Sequence, residues 1–264
     1  MLRFGIFCLC LASVLALPPP KKIPYGKLGP RIINGQNATL GQFPWQAALH
    51  VTSDSYSWFC GGSLISEEWI LTAGHCVDEA KSARIVTGSL EYTGDTGTVS
   101  SGQDFILHES YDALTLENDI GLIRLAEALT FDDNTKAVGL SNDTLEVNTT
   151  ITISGWGLTS DDAAVLSPDL EYVDLVAISN SACEEYYGKG LIVEGMVCAV
   201  SPTSEVKSSC SGDSGGGAVT NSTTNPLHVG IVSFVSSRGC ESGAPSGFTR
   251  TANYRAWILE KTGI

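Results

Sequence analysis

Three absences narrow the function of this 264-residue chain. Its 8 cysteines include no Cys-x-x-Cys pair, which argues against a structural zinc site. It has only 15 basic residues against 29 acidic ones, and without residues 1–31, which hold five basic residues and no acidic one, the net charge falls from −14 to −19. So acidic a chain is not expected to bind nucleic acid or an anionic membrane, and its charge favours solubility in a protein-rich fluid.

Long apolar runs are also absent after the N-terminus, so no membrane span is expected there. Residues 1–16 combine Arg3, an apolar run and a small residue at Ala16, which predicts a cleaved signal peptide too short to span a bilayer. Residues 17–31 are proline-rich, basic and poor in core-forming side chains, and they predict a short disordered propeptide. We therefore expect a secreted, extracellular protein.

Short apolar or alternating runs, separated by Gly, Asp and Ser turns, predict an all-β protein. In the first half the predicted strands are Trp45–Val51, Trp58–Ile65, Trp69–Thr72, Arg84–Thr87, Asp104–His108 and Ile120–Leu125. In the second half they are Thr150–Gly155, Leu170–Ile178, Met196–Ala199, Gly217–Thr220, Leu227–Phe234 and Gly247–Thr249. A link is predicted near Phe131–Val138, and a closing helix is predicted over Ala252–Lys261 with Thr251 as its N-cap.

The stretch Ser208-Ser-Cys-Ser-Gly-Asp-Ser-Gly-Gly-Gly217 is the main candidate for catalysis. A serine hydroxyl is a poor nucleophile at neutral pH, so Ser214 would need a base beside it and hydrogen-bond donors facing the charge that it creates. The glycines of this stretch allow a tight turn that brings backbone N–H groups close to a reacting carbonyl. Taken alone, the stretch is more commonly a surface loop rich in glycine and serine.

Six motifs in a fixed order favour the catalytic interpretation: Arg31-Ile-Ile-Asn-Gly35, Cys60-Gly-Gly-Ser63, Leu71-Thr-Ala-Gly-His-Cys76, Asn118-Asp-Ile-Gly-Leu122, Gly155-Trp-Gly157 and Gly212-Asp-Ser-Gly-Gly216. Through them the chain resembles the chymotrypsin/trypsin family of serine proteases from Ile32 to the C-terminus. The order His, Asp, Ser along the chain is that of chymotrypsin-like barrels. The segments 63–70 and 156–161 look closest to invertebrate digestive chymotrypsins, elastases and serine collagenases.

The resemblance implies two antiparallel six-stranded β-barrels, at about 32–134 and 135–264, with a C-terminal α-helix. Cys8 and Cys10 would leave with the signal peptide, and an even number of cysteines in an exported chain favours disulfides. Spacing alone leaves their pairing open. The resemblance implies the pairs Cys60–Cys76, Cys183–Cys198 and Cys210–Cys240.

The resemblance also implies a role for each residue of the catalytic motifs. His75 would be the general base, Asp119 would hold its tautomer, and Ser214 would be the nucleophile. The backbone N–H groups of Gly212 and Ser214 would form the oxyanion hole. The three other histidines lack this sequence context and are interpreted as structural or surface residues: His50, His108 and His228.

Activation is expected to follow cleavage after Arg31 by a trypsin-like protease. In the family, the new ammonium group, here on Ile32, pairs with the aspartate before the catalytic serine, here Asp213. The precursor is therefore expected to be a nearly inactive zymogen. Asn34 replaces the usual glycine of the activation motif, and we expect the turn to survive because asparagine tolerates positive φ.

The expected specificity pocket contains Ser208 at its base, Ser233, Phe234 and Val235 at its rim, and Ser246 in its wall. Trypsin-like enzymes carry aspartate at the base, so Ser208 argues against cleavage after lysine or arginine. Val235 narrows the entrance as in elastases, which predicts small or medium aliphatic residues before the cut. Because Ser246 enlarges the interior, chymotrypsin-like cleavage after aromatic residues is the alternative. The resemblance does not imply collagen cleavage.

The resulting hypothesis is a monomeric digestive endopeptidase, acting in the gut lumen on proteins and peptides and blocked by protein protease inhibitors. A catalytically inactive homologue that binds proteins is the rival class. All three catalytic residue types are present, which favours the enzyme. Four sequons make it a candidate glycoprotein: Asn37, Asn142, Asn148 and Asn221. No cofactor or metal is expected, because the stretch 90–104 lacks a convincing paired-carboxylate calcium loop.

Overall fold

The computed structural model describes residues 31–264. The predicted signal peptide and the propeptide up to residue 30 lie outside the described residues. The described chain begins with a turn, Arg31–Asn34, whose backbone is not helical at Ile32 and Ile33. A two-residue strand follows, β1 (Gln36–Asn37), which pairs with a strand of the second barrel.

The first barrel is closed and antiparallel, and its strand order is β2-β3-β4-β7-β6-β5. Its strands are β2 (Gln46–Thr52), β3 (Ser57–Leu64), β4 (Trp69–Thr72), β5 (Ser82–Thr87), β6 (Thr98–Leu107) and β7 (Gly121–Leu125). All six predicted strands are present. Strand β6 begins six residues before the predicted Asp104, because its N-terminal half is polar and mostly exposed and is held as a strand by pairing with β5.

The second barrel follows a two-residue strand, β8 (Gly139–Leu140). Its strands are β9 (Thr150–Gly155), β10 (Glu171–Ile178), β11 (Met196–Val200), β12 (Gly217–Thr220), β13 (Leu227–Phe234) and β14 (Ser246–Arg250). The order β10-β11-β14-β13-β12-β9 closes through the pairing of β9 with β10. The structure therefore confirms two six-stranded antiparallel barrels.

Side-chain alternation explains why these segments form barrel walls. In β10, buried positions alternate with less buried ones along all eight residues, which places one face in the barrel core. Leu49, Ile70 and Ile123 are fully buried in the first barrel, and Leu175 and Phe248 are fully buried in the second. Burial of each such side chain contributes about 1.5–3 kcal/mol.

The helices are short: α1 (Gly74–Val77), α2 (Asn180–Tyr187) and α3 (Arg255–Thr262). A C-terminal helix is present, as predicted. Its helical region begins at Thr251, one residue before the predicted Ala252, but Thr251–Tyr254 is a 3-10 turn and the α-helix starts only at Arg255. Thr251 is not its N-cap, because its side chain lies 2.8 Å from Nδ1 of His228. No helix among residues 31–264 is long and apolar enough to cross a membrane.

The chain passes from one barrel to the other just after the predicted link. Val138 donates a backbone hydrogen bond to Leu64 of the first barrel, and Ser141 donates one to His228 of the second. Three disulfides join the pairs that the resemblance implies: Cys60–Cys76, Cys183–Cys198 and Cys210–Cys240. The first of them holds the helix that carries His75, and the third joins two loops of the second barrel.

Candidate active site

His75 lies in α1, directly after strand β4, and its imidazole faces Asp119. Nδ1 of His75 is 2.9 Å from Oδ2 and 3.1 Å from Oδ1 of Asp119. The backbone N–H of His75 also donates to Oδ1 of Asp119, at 2.8 Å. The Asp119 side chain is fully buried, whereas 28% of the His75 side chain is exposed. The carboxylate therefore fixes the Nδ1 side of the ring, while part of the imidazole stays open to solvent.

Two residues of the second barrel hold Asp119 in place. The Ser233 hydroxyl donates to Oδ2 of Asp119 at 2.6 Å, and the Thr249 hydroxyl donates to its backbone carbonyl at 2.7 Å. Both donors are buried. Asp119 thus lies where the two barrels meet, and hydrogen bonds from both barrels hold its position. Ser233, predicted only as a residue of the pocket rim, is one of these donors.

Ser214 lies in the loop before β12, beside the segment that carries His75. The backbone N–H of Gly61 donates to the Ser214 carbonyl oxygen at 2.7 Å, and Sγ of Cys76 lies 3.6 Å from the same oxygen. Gly215 has a φ of 82°, and a Cβ atom there would collide with the hydroxyl of Thr72. Only glycine allows this approach. The structure therefore places Asp119 against His75, and the Ser214 backbone against Cys76, the residue next to His75.

The backbone around Ser214 leaves two N–H groups free. Gly212 has a φ of 99°, and among the hydrogen bonds of residues 31–264 neither the Gly212 N–H nor the Ser214 N–H is a donor. The Asp213 N–H between them donates to Cys210 at 3.0 Å. Two unpaired N–H groups on alternate residues suit the binding of a negatively charged oxygen.

Asp213 lies in a buried niche on the other side of the loop and is only 1% exposed. Its Oδ1 accepts the Gly157 N–H and its Oδ2 accepts the Cys210 N–H, both at 2.9 Å. Burial raises the pKa of Asp213 to about 6, against the effect of these two donors. No ion pair involves Asp213 within the described part of the chain. The carboxylate is therefore a buried acid that a nearby cation would stabilise in its charged form.

The first described residues reach this region. Ile32 is buried and packs into the core of the second barrel, and Ile33 forms an isolated antiparallel bridge with Ser208. Asn34 has a φ of 54°, which confirms the predicted turn with positive φ, and its side chain donates to the Val206 carbonyl at 2.9 Å.

Ser208 and Ser246, predicted as the base and wall of a pocket, are buried next to each other. Their hydroxyl oxygens lie 3.3 Å apart, and the Ser209 hydroxyl donates to Ser246 at 3.1 Å. The three side chains form an uncharged polar surface. Val235 is half-buried and packs against the cluster of Ile33 and the Cys210–Cys240 disulfide.

An apolar groove of about 300 Å³ continues from Phe234 and Val235. The Phe234 ring meets the Tyr187 ring edge to face, with centroids 5.2 Å apart. Other apolar lining residues include Leu114, which is 96% exposed, and Leu191. Sequence reasoning missed this groove, because its walls come from three segments distant in the chain.

His228 was interpreted as structural or surface, and the structure places it in the interior with no exposed surface. Its Nδ1 lies 2.8 Å from the Thr251 hydroxyl, while Nε2 has no partner among the described residues. Burial lowers the pKa of His228 to about 3, so the ring is neutral. A Cβ atom on Gly217 would collide with the Ser63 hydroxyl and approach this ring within 2.8 Å. The Ser63 hydroxyl and the buried histidine therefore leave room only for glycine at position 217.

The remaining predicted positions lie apart from this site. His50 and His108 are half-buried and contact aromatic rings. All four sequon asparagines are exposed: Asn37, Asn142, Asn148 and Asn221. Among residues 31–264, the two groupings of possible metal ligands both consist largely of disulfide-bonded cysteines, which offer no thiolate to a metal.

Comparisons with known proteins agree with this geometry. The sequence model of the trypsin family matches residues 32–258. The chain is 40% identical to a collagenase of Hypoderma lineatum over 266 residues, covering 98% of this chain and 97% of that protein. It is 41% identical to brachyurin of Leptuca pugilator over 235 residues, covering 88% and 99%.

Solved structures give the same result. A structure of HL collagenase aligns with a TM-score of 0.79 at 40% identity, covering 88% of this chain and 99% of that one. A structure of neuropsin, a serine protease of mouse brain, aligns with a TM-score of 0.76 at 30% identity, covering 86% and 98%. The chain therefore belongs to the trypsin family of serine endopeptidases.

Proposed function

We propose that the chain is a secreted endopeptidase that uses Ser214 as nucleophile, His75 as general base and Asp119 as the group that holds His75. The observation that carries this proposal is the buried Asp119 carboxylate on Nδ1 of His75, with Ser214 on the adjoining loop. A carboxylate at Nδ1 keeps that nitrogen protonated and leaves Nε2 as the basic atom.

The reaction proceeds through an acyl-enzyme. His75 Nε2 takes the Ser214 proton as Oγ attacks the scissile carbonyl carbon, and the free N–H groups of Gly212 and Ser214 bind the resulting oxyanion. His75 then gives the proton to the leaving amine as the peptide C–N bond breaks. Water then enters, loses a proton to His75 and attacks the ester carbonyl carbon. The ester C–O bond breaks, the acid product leaves, and His75 returns the proton to Oγ of Ser214.

The pocket supports cleavage after small or medium aliphatic residues such as alanine, valine and leucine. Ser208 and Ser246 offer no negative charge, so a lysine or arginine side chain would be desolvated without a partner. Val235 narrows the entrance where glycine would admit an aromatic ring. The small side chains of Ser208 and Ser246 favour the alternative, chymotrypsin-like cleavage after aromatic residues.

We infer that the chain is made as a zymogen and cleaved after Arg31 by a trypsin-like protease. Cleavage would create an ammonium group on the buried Ile32, and the buried Asp213 acid, which has no cationic partner among residues 31–264, would be its counter-ion. Before cleavage, Ile32 has a φ of 45°, which strains a β-branched residue. Cutting the Arg31–Ile32 bond removes that strain, because the preceding carbonyl is no longer attached.

Secretion is supported by the signal-like residues 1–16, the three disulfides and the exposed sequons, and it suits a digestive role. The expected partners are protein and peptide substrates, the activating protease and protein protease inhibitors.

The nucleophile can be tested by covalent labelling. Protein activated with trypsin, after which trypsin is inhibited and removed, should react with a fluorophosphonate at one site, which peptide mass spectrometry should map to Ser214. Ser214→Ala should not react, while Ser211→Ala, an exposed serine of the same loop, should react fully. Asp119→Asn should lower kcat by about four orders of magnitude. Labelling elsewhere, or none, would contradict the proposal.

A further inference from the structure

Two loops that pack near Val235 hold each other through hydrogen bonds to their acidic side chains. Oδ1 of Asp161 accepts the Cys240 N–H at 2.6 Å, and Oδ2 accepts the Glu241 N–H at 3.2 Å. In return, the Asp161 N–H donates to Oε2 of Glu241 at 2.8 Å. The residues lie 80 positions apart, so these contacts form only in the folded molecule.

Local backbone geometry makes this contact possible. Cys240–Ser242 is a single 3-10 turn, and the N–H groups at the start of such a turn have no partner within it. The Asp161 carboxylate supplies that partner. Gly239, just before the turn, has a φ of 105°, and a Cβ atom there would collide with the carboxylate. A side chain at 239 would therefore displace Asp161.

The same loop is tied to the backbone around Ser214 at its other end. The Leu158 N–H donates to the Ser211 carbonyl at 2.8 Å, and the Gly157 N–H donates to the Asp213 carboxylate at 2.9 Å. The Asp161 carboxylate lies within 4.8 Å of the sulfurs of Cys210 and Cys240. Residues 157–161 thus bridge the two loops that the disulfide joins, and the three connections form a closed ring.

Val235, at the expected pocket entrance, contacts this closed ring of loops. Val235 packs with Leu158, Ile33 and the Cys210–Cys240 disulfide, so a displacement of Cys240 changes the support of the Val235 side chain. We propose that Asp161 is a positioning residue for specificity, which sets the distance of the 239–246 wall from the loop of Ser214. This inference rests on the proposed function, because it assigns the wall to the pocket of that enzyme.

Steady-state kinetics on matched peptides test the inference. Asp161→Ala should raise KM three- to tenfold for peptides with valine or leucine before the cut. The variant loses two charge-assisted hydrogen bonds, one part-buried and one exposed, and with them the fixed position of the wall that these side chains would contact. KM for the alanine peptide should change less, since a short side chain makes few contacts with the wall. The kcat per titrated active site should stay within about twofold, because neither the N–H donors nor the catalytic residues change.

Two variants separate positioning from general destabilisation. Asp162→Ala removes the neighbouring exposed acid, which makes no side-chain hydrogen bond within residues 31–264, and it should leave all three KM values unchanged. Asp161→Asn keeps one oxygen acceptor and should recover part of the selectivity. Equal KM increases for all three peptides, or identical behaviour of the 161 and 162 variants, would overturn the inference.

Amide hydrogen exchange tests the ring without any activity. Asp161→Ala should speed exchange about tenfold in peptides that cover Cys240 and Glu241, whereas Asp162→Ala should not. If exchange at Cys240 and Glu241 is unchanged in Asp161→Ala, Asp161 does not hold these two residues and the closed ring of loops is overturned. If active-site titration of the wild type detects no active site, the proposed enzymatic function is overturned. The exchange result would still decide whether Asp161 holds the 239–246 wall.

Discussion

At the scale of single residues, Val235 is the side chain on which the proposed specificity depends. Val235→Gly should open the pocket entrance and raise kcat/KM for a phenylalanine peptide relative to an alanine peptide by about 10- to 100-fold. The size follows from the methyl groups removed, because each apolar group in such a pocket changes discrimination by about 1–3 kcal/mol.

The control for this prediction is Val165→Gly, since Val165 is 75% exposed on the loop that follows Trp156. It should keep the wild-type ratio of the two peptides. An unchanged ratio in Val235→Gly would show that the pocket is limited elsewhere, and Ser208 and Ser246 would then be the residues to vary.

His228 predicts a pH dependence of stability. Burial lowers the pKa of His228 to about 3, against 6.5 for the unperturbed side chain. The unfolded chain therefore binds a proton at His228 below about pH 6.5 that the folded chain does not, so stability falls as the pH falls. Between pH 7 and pH 4.5 this single group should lower the free energy of unfolding by about 2–3 kcal/mol.

The test is urea unfolding of the wild type and of His228→Leu at several pH values. The variant should lose this part of the acid dependence, so the difference in unfolding free energy between the two proteins should change across the interval. Parallel curves from pH 7 to pH 4.5 would contradict the assignment of His228 as buried and neutral.

Sequence reasoning predicted the residues of the site that lie in contiguous motifs. The resemblance implied His75, Asp119 and Ser214 through the motifs around them, and in the structure Asp119 contacts His75 while the Ser214 backbone contacts Cys76. The burial of His228 and the hydrogen bond that the Cys240 N–H donates to Asp161 were not predicted. Both depend on contacts between segments far apart in the chain, and each residue type is more often a surface residue.

At the scale of elements, strands β13 and β14 decide the depth of the apolar groove. Phe234 and Gly247 lie opposite each other in this pair, next to a register shift at Val232–Phe234. A Cβ atom on Gly247 would collide with the Phe234 ring, so the glycine lets the ring lie flat against the strand. The Gly247 backbone is not left-handed, and the ring is the obstacle to a larger residue.

Gly247→Ala should therefore push the ring into the groove. We expect the groove, which continues from Val235, to hold substrate side chains two to four residues before the cut. For Gly247→Ala, kcat/KM for peptides with leucine there should then fall about tenfold relative to peptides with alanine there, a size typical of overpacking. The control is Gly139→Ala, whose new methyl would meet mainly the flexible end of Leu227. It should change kcat/KM for neither the leucine peptide nor the alanine peptide. Equal losses for both peptides would contradict this role, and adding Phe234→Leu should restore the difference.

Strand prediction succeeded where side chains alternate and failed where pairing alone holds the strand. β10 shows a regular burial pattern and β9, β12 and β13 have the predicted bounds. The first half of β6 is polar, and Thr251 bonds to His228 instead of capping a helix. In both cases a tertiary contact overrides the local signal.

At the scale of the whole molecule, the site exists because two barrels meet. Asp119 comes from the first barrel, and its carboxylate and carbonyl accept hydrogen bonds from Ser233 and Thr249 of the second. Strand periodicity predicted the number of strands. The closure of each barrel and the juxtaposition of the two followed only from the resemblance, because a period-2 pattern carries no information on which strands pair.

The most direct test of the central claim is a peptide panel that differs only in the residue before the cut: Ala, Val, Leu, Phe, Tyr and Arg. Each peptide is given to trypsin-activated, trypsin-inhibited protein, to the uncleaved precursor and to activated Ser214→Ala. We predict hydrolysis by the activated wild type alone, fastest for Ala, Val or Leu and slowest for Arg. Fastest cleavage after Phe or Tyr would contradict the role of Val235, and no activity above that of Ser214→Ala would contradict the enzyme.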